Sequence, residues 1–200
     1  MKNVTQKELK KFIMSKLLRA PRLCLPRSSR KCDEMMNDDQ TTSFRPGLYI
    51  VEVVPGLFMG DLSTSQNFTI LREKKIDVII NLCAKNEERV TCDEIQYIDF
   101  KLSDREDFEI LGHFDHICSL IHEKIEQNQK VFVHCQKGIS RSPTIMMAYM
   151  IRYQQTGYEN AFDQLKKLSP NVGPNFSFLL DLQTYEKLTL PKTQPPFIVS

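Results

Sequence analysis

Apolar positions along the chain follow two different rhythms. Short apolar runs rich in β-branched residues occupy positions 48–54, 57–59, 77–82 (DVIINL) and 130–134 (KVFVH), and each reads as a strand, the third as a buried one. Residues 94–100 alternate apolar with polar and predict another strand. Pro55-Gly56 between the first two runs is a turn signal. Between residues 110 and 125 the rhythm changes: Leu111, Phe114, Ile117, Cys118, Ile121 and Ile125 recur at helical spacing. Residues 142–153, 158–168 and 175–188 are predicted helical as well, the last after Pro174. Ser63 or Ser65 is expected to cap a helix running to about Lys75. Strands interleaved with helices, followed by a helical end, predict an α/β fold. Its centre is a mostly parallel, twisted sheet of about five strands flanked by helices. Ligands of such folds sit at the carboxyl ends of the strands.

The first 47 residues do not share these rhythms. RSSRK (27–31) and NDDQTT (37–42) are polar and without a period, as expected of a flexible arm. The predicted organisation is an arm over 1–47, one domain over 48–189 and a short tail over 190–200. Charge sharpens this division. Residues 1–32 hold ten of the 27 basic residues and one of the 25 acidic ones, leaving 17 and 24, a net of −7, for the rest. A basic excess confined to an arm argues against a nucleic-acid-binding domain. No stretch is apolar for long enough to span a bilayer, and Lys10, Lys11, Lys16 and Arg19 break any secretory signal core. None of the six cysteines forms a C-x-x-C pair, so thiols in a reducing compartment are expected, cytoplasmic and also nuclear. Within the arm, Leu9, Phe12, Ile13 and Leu17 fall roughly on one helical side and lead into RAPRLCL (19–25). That pattern admits three functions: a docking peptide for a protein kinase, an anchor for anionic membrane, or a mitochondrial transit peptide.

The chemistry concentrates in VFVHCQKGISRSPT, residues 131–144. A strand ends at His134 and a helix begins near Ser142, with Pro143 tolerated in its first turn. Between them, five residues separate Cys135 from Arg141. That spacing lets the backbone of Gln136, Lys137, Gly138, Ile139, Ser140 and Arg141 curl so that its N–H groups face one dianion. The helix N-terminus adds partial positive charge. Gly138 permits the tight turn. Arg141 offers a planar fork for two phosphate oxygens. The same field favours a thiolate at Cys135, able to attack phosphorus. The Ser142 hydroxyl is placed to stabilise that thiolate when it leaves again.

HCQKGISRS (134–142) resembles the H-C-x-x-G-x-x-R-S signature of the dual-specificity protein phosphatases. GLFMG (56–60), DVIIN (77–81), residues 97–104 and Pro174-Asn175-Phe176 resemble further landmarks of that family, so the likeness covers about residues 48–188. The resemblance implies a thiol-phosphate intermediate, no metal and no cofactor. It also implies a pocket shallower than in phosphotyrosine-only enzymes, and phosphoprotein substrates. The short arm implies a small, atypical member without the rhodanese-like regulatory domain of kinase-directed members.

Phosphoryl transfer also needs a proton for the leaving oxygen. The loop LSDREDF (102–108) follows a strand and offers Asp104, Glu106 and Asp107. In the family that the chain resembles, the acid lies about thirty residues before the nucleophile, directly after the strand. Asp104 lies 31 residues before Cys135 and is the implied acid. Asp107 is then expected to cap the next helix. His134 resembles the family histidine that supports the loop and the thiolate by hydrogen bonding. Lys137 is the single lysine within the loop, which argues mildly against phosphoinositide or RNA 5′-phosphate substrates. Cys83, at the end of a strand, resembles a cysteine of lipid-directed relatives that forms a reversible disulfide with the nucleophile. His113, His116 and His122 share a helical pattern, with too few partners for a metal site. A non-catalytic phosphoprotein-binding scaffold would be expected to have lost Cys135 or Arg141, and both are present.

Overall fold

The computed structural model describes residues 49–83 and 91–191. The basic segment 1–47, with Cys24, Cys32 and its three possible functions, lies outside them, as does the tail from 192. Five strands, β1 (Ile50–Val54), β2 (Leu57–Gly60), β3 (Val78–Asn81), β4 (Gln96–Asp99) and β5 (Val131–His134), form one sheet in the order β1-β2-β5-β3-β4. Only the β1–β2 hairpin is antiparallel, and its turn is closed by Gly56 at φ +80°. The remaining pairings are parallel, as the interleaved helices require.

The unbroken apolar runs follow from a sheet covered on both faces. Leu57, Met59, Val78, Ile80, Val131 and Val133 point into the larger core cluster. Their neighbours Phe58, Ile79 and Phe132 point into a smaller cluster on the opposite face. The larger cluster is filled by helices α3 (Leu111–Glu126), α4 (Arg141–Gln154), α5 (Tyr158–Leu168) and α6 (Phe176–Thr189). Helix α4 runs through its centre, and every residue from Ser142 to Ile151 is buried. At its far end Arg152 pairs with Asp115 of α3, which also accepts a 2.7 Å hydrogen bond from the Tyr185 hydroxyl of α6. Among the described residues, no helix is long and apolar enough to cross a membrane.

Two expectations are corrected. The single helix capped by Ser63 or Ser65 is instead two short ones, α1 (Leu62–Ser65) and α2 (Phe68–Glu73). Asp61 caps the first through Thr64 N–H at 2.8 Å, and Asn67 caps the second through Ile70 N–H at 3.1 Å. Thr64 and Ser65 spend their hydroxyls on backbone. Thr64 Oγ1 donates to Tyr49 O and accepts from Tyr49 N–H, and Ser65 Oγ donates to Leu62 O. Such bonds compete with helix continuation. Asp107 does not cap α3: it accepts from Arg105 at 2.9 and 2.7 Å on the surface. Helix α3 starts only at Leu111, too far along for Asp107 to reach its first turn. Asp181 of α6 accepts from the Ile110 and Leu111 N–H groups instead, at 3.2 and 3.4 Å.

Candidate active site

The site grows out of the carboxyl end of β5. Residues 135–140 form a loop whose carbonyls are tied from outside. Leu62 N–H reaches Gln136 O at 3.4 Å, and Gly173 N–H reaches Ile139 O at 2.8 Å. Thr144 holds Ser140 O with both its N–H (3.1 Å) and its hydroxyl (2.8 Å). None of the N–H groups from Gln136 to Ile139 is spent in these contacts, so donors remain for the concave side. Gly138 has φ +68°, and a Cβ there would lie 2.7 Å from the Tyr49 ring and 2.9 Å from Gly60 O. Conformation and space both demand glycine at that position.

Beneath the loop, His134 is buried and stacked on Phe132, with Nδ1 3.4 Å from Cys135 O. The Cys135 thiol is itself buried, with Sγ 3.3 Å from the Ser142 hydroxyl at the start of α4. Arg141 folds over the loop. Its Nη1 donates to Leu102 O at 3.2 Å, and its Nε lies 3.4 Å from Asp104 Oδ2. The loop after β4 is thereby drawn over the phosphate loop. Asp104 Oδ1 accepts from Ser140 Oγ at 2.6 Å and from Asn175 Nδ2 at 3.3 Å. The Asn175 N–H closes the triangle on Ser140 Oγ at 3.4 Å.

Every predicted site residue between His134 and Ser142 therefore sits on one loop, with Asp104 above it. Gln136, Lys137 and Ile139 are exposed, whereas Gly138 and Ser140 are buried. Glu106 and Asp107, the other carboxylates of the acid loop, are exposed; Asp107 is occupied by Arg105. Cys83 follows β3 and makes an isolated bridge to Lys101, with Sγ 3.4 Å from Asn81 Oδ1. Asn81 pairs with His134 in the parallel register, which puts Cys83 and Cys135 at the same sheet edge. Cys118 lies in the larger core cluster, where burial pushes its thiol far above the ordinary value. The three helical histidines are packing residues. His113 stacks on Phe108, His116 meets the Phe100 edge, and His122 stacks on Tyr153. Among the described residues, no group of three or more His, Cys, Asp or Glu is arranged to hold a metal.

Two contributors were not legible as site residues. Asn175, expected only as the start of a helix and part of a family landmark, caps α6, its Oδ1 accepting from Phe178 N–H at 3.0 Å. Its amide nitrogen serves Asp104 at the same time. Tyr49 supports Gly138 with its ring, and its phenol is raised above the ordinary value by burial and by the nearby charges of Cys135 and Asp61, against a lowering contact from Ser169.

A thiol at the end of a parallel strand, a glycine-bent loop running into a helix N-terminus, and an arginine at the loop's end define the class of cysteine-based phosphatases. Residues 57–188 match the family model "Dual specificity phosphatase, catalytic domain", and the chain belongs to that family. It is 34% identical over 149 residues to human dual specificity protein phosphatase 5, covering 73% of this chain and 38% of that protein. The chain thus spans well under half the length of that relative. A crystal structure of DUSP15 matches with a TM-score of 0.65 at 26% identity, covering 70% of this chain and 92% of the other. A human tyrosine phosphatase-like serine/threonine/tyrosine-interacting protein matches with a TM-score of 0.64 at 26% identity, covering 70% and 96%.

Proposed function

We propose that the chain is a protein phosphatase that hydrolyses phosphotyrosine and phosphoserine or phosphothreonine through a cysteinyl-phosphate intermediate. The observation that carries this reading is the buried Cys135 thiol, 3.3 Å from Ser142, on the loop that Asp104 closes from above. The Cys135 sulfur attacks phosphorus. The S–P bond forms, the P–O bond to the side chain breaks, and the Asp104 carboxyl gives its proton to the leaving oxygen. Backbone N–H groups of 136–141 and the Arg141 fork hold the three non-bridging oxygens as charge builds. An incoming dianion competes with Asp104 for Arg141 and frees the carboxyl to turn to the leaving oxygen. In the second step Asp104 takes a proton from water and the water oxygen attacks phosphorus. The S–P bond breaks, and the Ser142 hydroxyl stabilises the departing thiolate. His134 holds the loop backbone and transfers no proton.

The catalytic unit is residues 48–189. The basic arm is a docking segment for a protein kinase, and the requirement for a reduced nucleophile suits the cytoplasm or nucleus. Cys83, at the same sheet edge as Cys135, is the partner for a protective disulfide: peroxide oxidises the Cys135 thiolate to a sulfenic acid, and the Cys83 thiol attacks its sulfur and releases water. The test is hydrolysis of a small aryl phosphate in the presence of EDTA. Wild type should turn over, Cys135→Ser should abolish turnover, and Asp104→Asn should lower it by about 10²–10⁴-fold. A folded, reduced wild type with no turnover would leave a phosphoprotein-binding scaffold, to be captured with Cys135→Ser.

A further inference from the structure

One lip of the site is apolar, and its apolar surface continues along a helix. Ile139, within the phosphate loop, is 37% exposed, and Phe176, the first residue of α6, is 67% exposed. Leu180 and Leu188 follow at 47% and 37%. Positions 176, 180, 184 and 188 form one ridge of the helix, about 18 Å long at the α-helical rise. Thr184 at the third position turns its hydroxyl back to Leu180 O at 2.9 Å, which leaves its methyl to the surface. Among the described residues these are the large apolar side chains most open to solvent, together with Leu168.

The ridge is continuous with the site. Asn175, directly before Phe176, bonds both Asp104 and Ser140, and Gly173 N–H fixes Ile139 O at 2.8 Å. Two extended residues span about 7 Å. Ile139, four residues after Cys135 on the loop, and Phe176, next to the Asn175 that bonds Asp104 and Ser140, thus place apolar surface within reach of the residues that flank a phosphate at Cys135. The acid loop differs, for its exposed residues Arg105, Glu106 and Asp107 are charged.

We infer that the rim formed by Ile139, Phe176 and Leu180 is a substrate-specificity surface. It takes a phosphorylated protein segment with a bulky apolar side chain within two residues of the phosphorylated one. The inference rests on the phosphatase reading and adds the substrate class. Burial of such a side chain against the rim raises kcat/KM chiefly through KM, because the contact is made in both ground and transition state.

The test uses the full chain and phosphotyrosine peptides on a Ser/Asn background. Leu or Ser is placed at each of the two positions on either side of the phosphotyrosine, and p-nitrophenyl phosphate is the rimless control. Wild type should favour Leu over Ser at one or more positions by about tenfold in kcat/KM. The double variant Phe176→Ser/Leu180→Ser should bring that ratio to about one, with p-nitrophenyl phosphate turnover and melting temperature unchanged. Phe176→Met should keep the preference. No Leu preference in wild type, or a preference that survives in the double variant, overturns the inference while p-nitrophenyl phosphate turnover keeps the phosphatase reading alive. A wild type inert toward p-nitrophenyl phosphate removes the reading beneath it. If sedimentation shows a wild-type dimer that the double variant dissolves, with peptide preference unchanged, the ridge is a contact between copies of this chain instead.

Discussion

The floor and the roof of the site are built by different means. The floor, residues 135–141, joins a buried strand to a buried helix, and its carbonyls are bonded from α1, α4 and the 173 turn. The roof, residues 102–108, is exposed from Asp104 to Asp107 and reaches the floor mainly through side chains. Cys135, the proposed nucleophile, is held by the core of the fold. Asp104, the proposed acid, is held by contacts that water and substrate can replace. In the proposed reaction a dianion takes Arg141 from Asp104, and the floor keeps its place. Stability and activity should therefore separate in the roof and fail together in the floor.

The sharpest way to break this comparison is through Arg141, which belongs to both parts. Arg141→Lys keeps the charge but loses the fork and its link to Leu102 O, so aryl phosphate kcat should fall by about 10³-fold. A loss under tenfold would mean that positive charge alone suffices. Next in size is Gly138→Ala, which forces a Cβ into the left-handed region and against the Tyr49 ring. The fold should lose about 1–3 kcal/mol, seen as a melting point lower by several degrees, together with activity. Asp104→Asn should leave the melting point within about 1 °C; equal losses for the two would erase the contrast. Smaller still is Ser140→Ala, which frees Asp104 Oδ1 from its 2.6 Å donor. If Ser140 positions the acid, turnover should fall by about tenfold for alkyl phosphates and by less for a nitrophenyl phosphate, whose better leaving group depends less on the proton. A uniform loss would assign Ser140 to phosphate binding alone.

The smallest effect lies behind the roof, at His113, stacked on Phe108. Burial lowers its titration point, nearby His116 lowers it further, and Glu109 opposes both weakly. The unfolded chain then binds the proton more readily than the folded one. Stability conferred by neutral His113 is present above the unfolded value of about 6.5 and is lost as pH falls below it toward the lower folded value. His113→Gln should flatten the decline in melting temperature below about pH 6.5 without changing turnover at pH 7. An unchanged slope would mean that the ring titrates as if exposed.

The nucleophile loop was readable because Cys135, Gly138, Arg141 and Ser142 lie within eight consecutive residues, and their spacing alone states the geometry. The strands were readable to within about two residues because a two-faced core demands unbroken apolar runs. What could not be read depends on residues far apart in the chain. Asp181 serves the start of α3 across 71 positions, and Asn175 reaches Asp104 across the same separation. No local period encodes such pairs. The division of α1 from α2 failed for a related reason, since the Thr64 hydroxyl is spent on Tyr49, 15 residues earlier. Asp107 looked like a cap because it precedes a helix, and only the distance of that helix from it decided otherwise.

Helix α4 starts directly after the phosphate loop of the proposed site and buries every residue from Ser142 to Ile151 in the core. The anion site therefore exists only in the folded chain, and occupancy and folding are two readings of one equilibrium. Inorganic phosphate, the product of the proposed reaction, would act as a folding ligand that binds the native state and has nothing to hold in the unfolded one. At a concentration one hundred times its dissociation constant it would add about 2.7 kcal/mol to stability. A cell rich in phosphate would thus slow the proposed hydrolysis by product occupancy and preserve the protein by the same act.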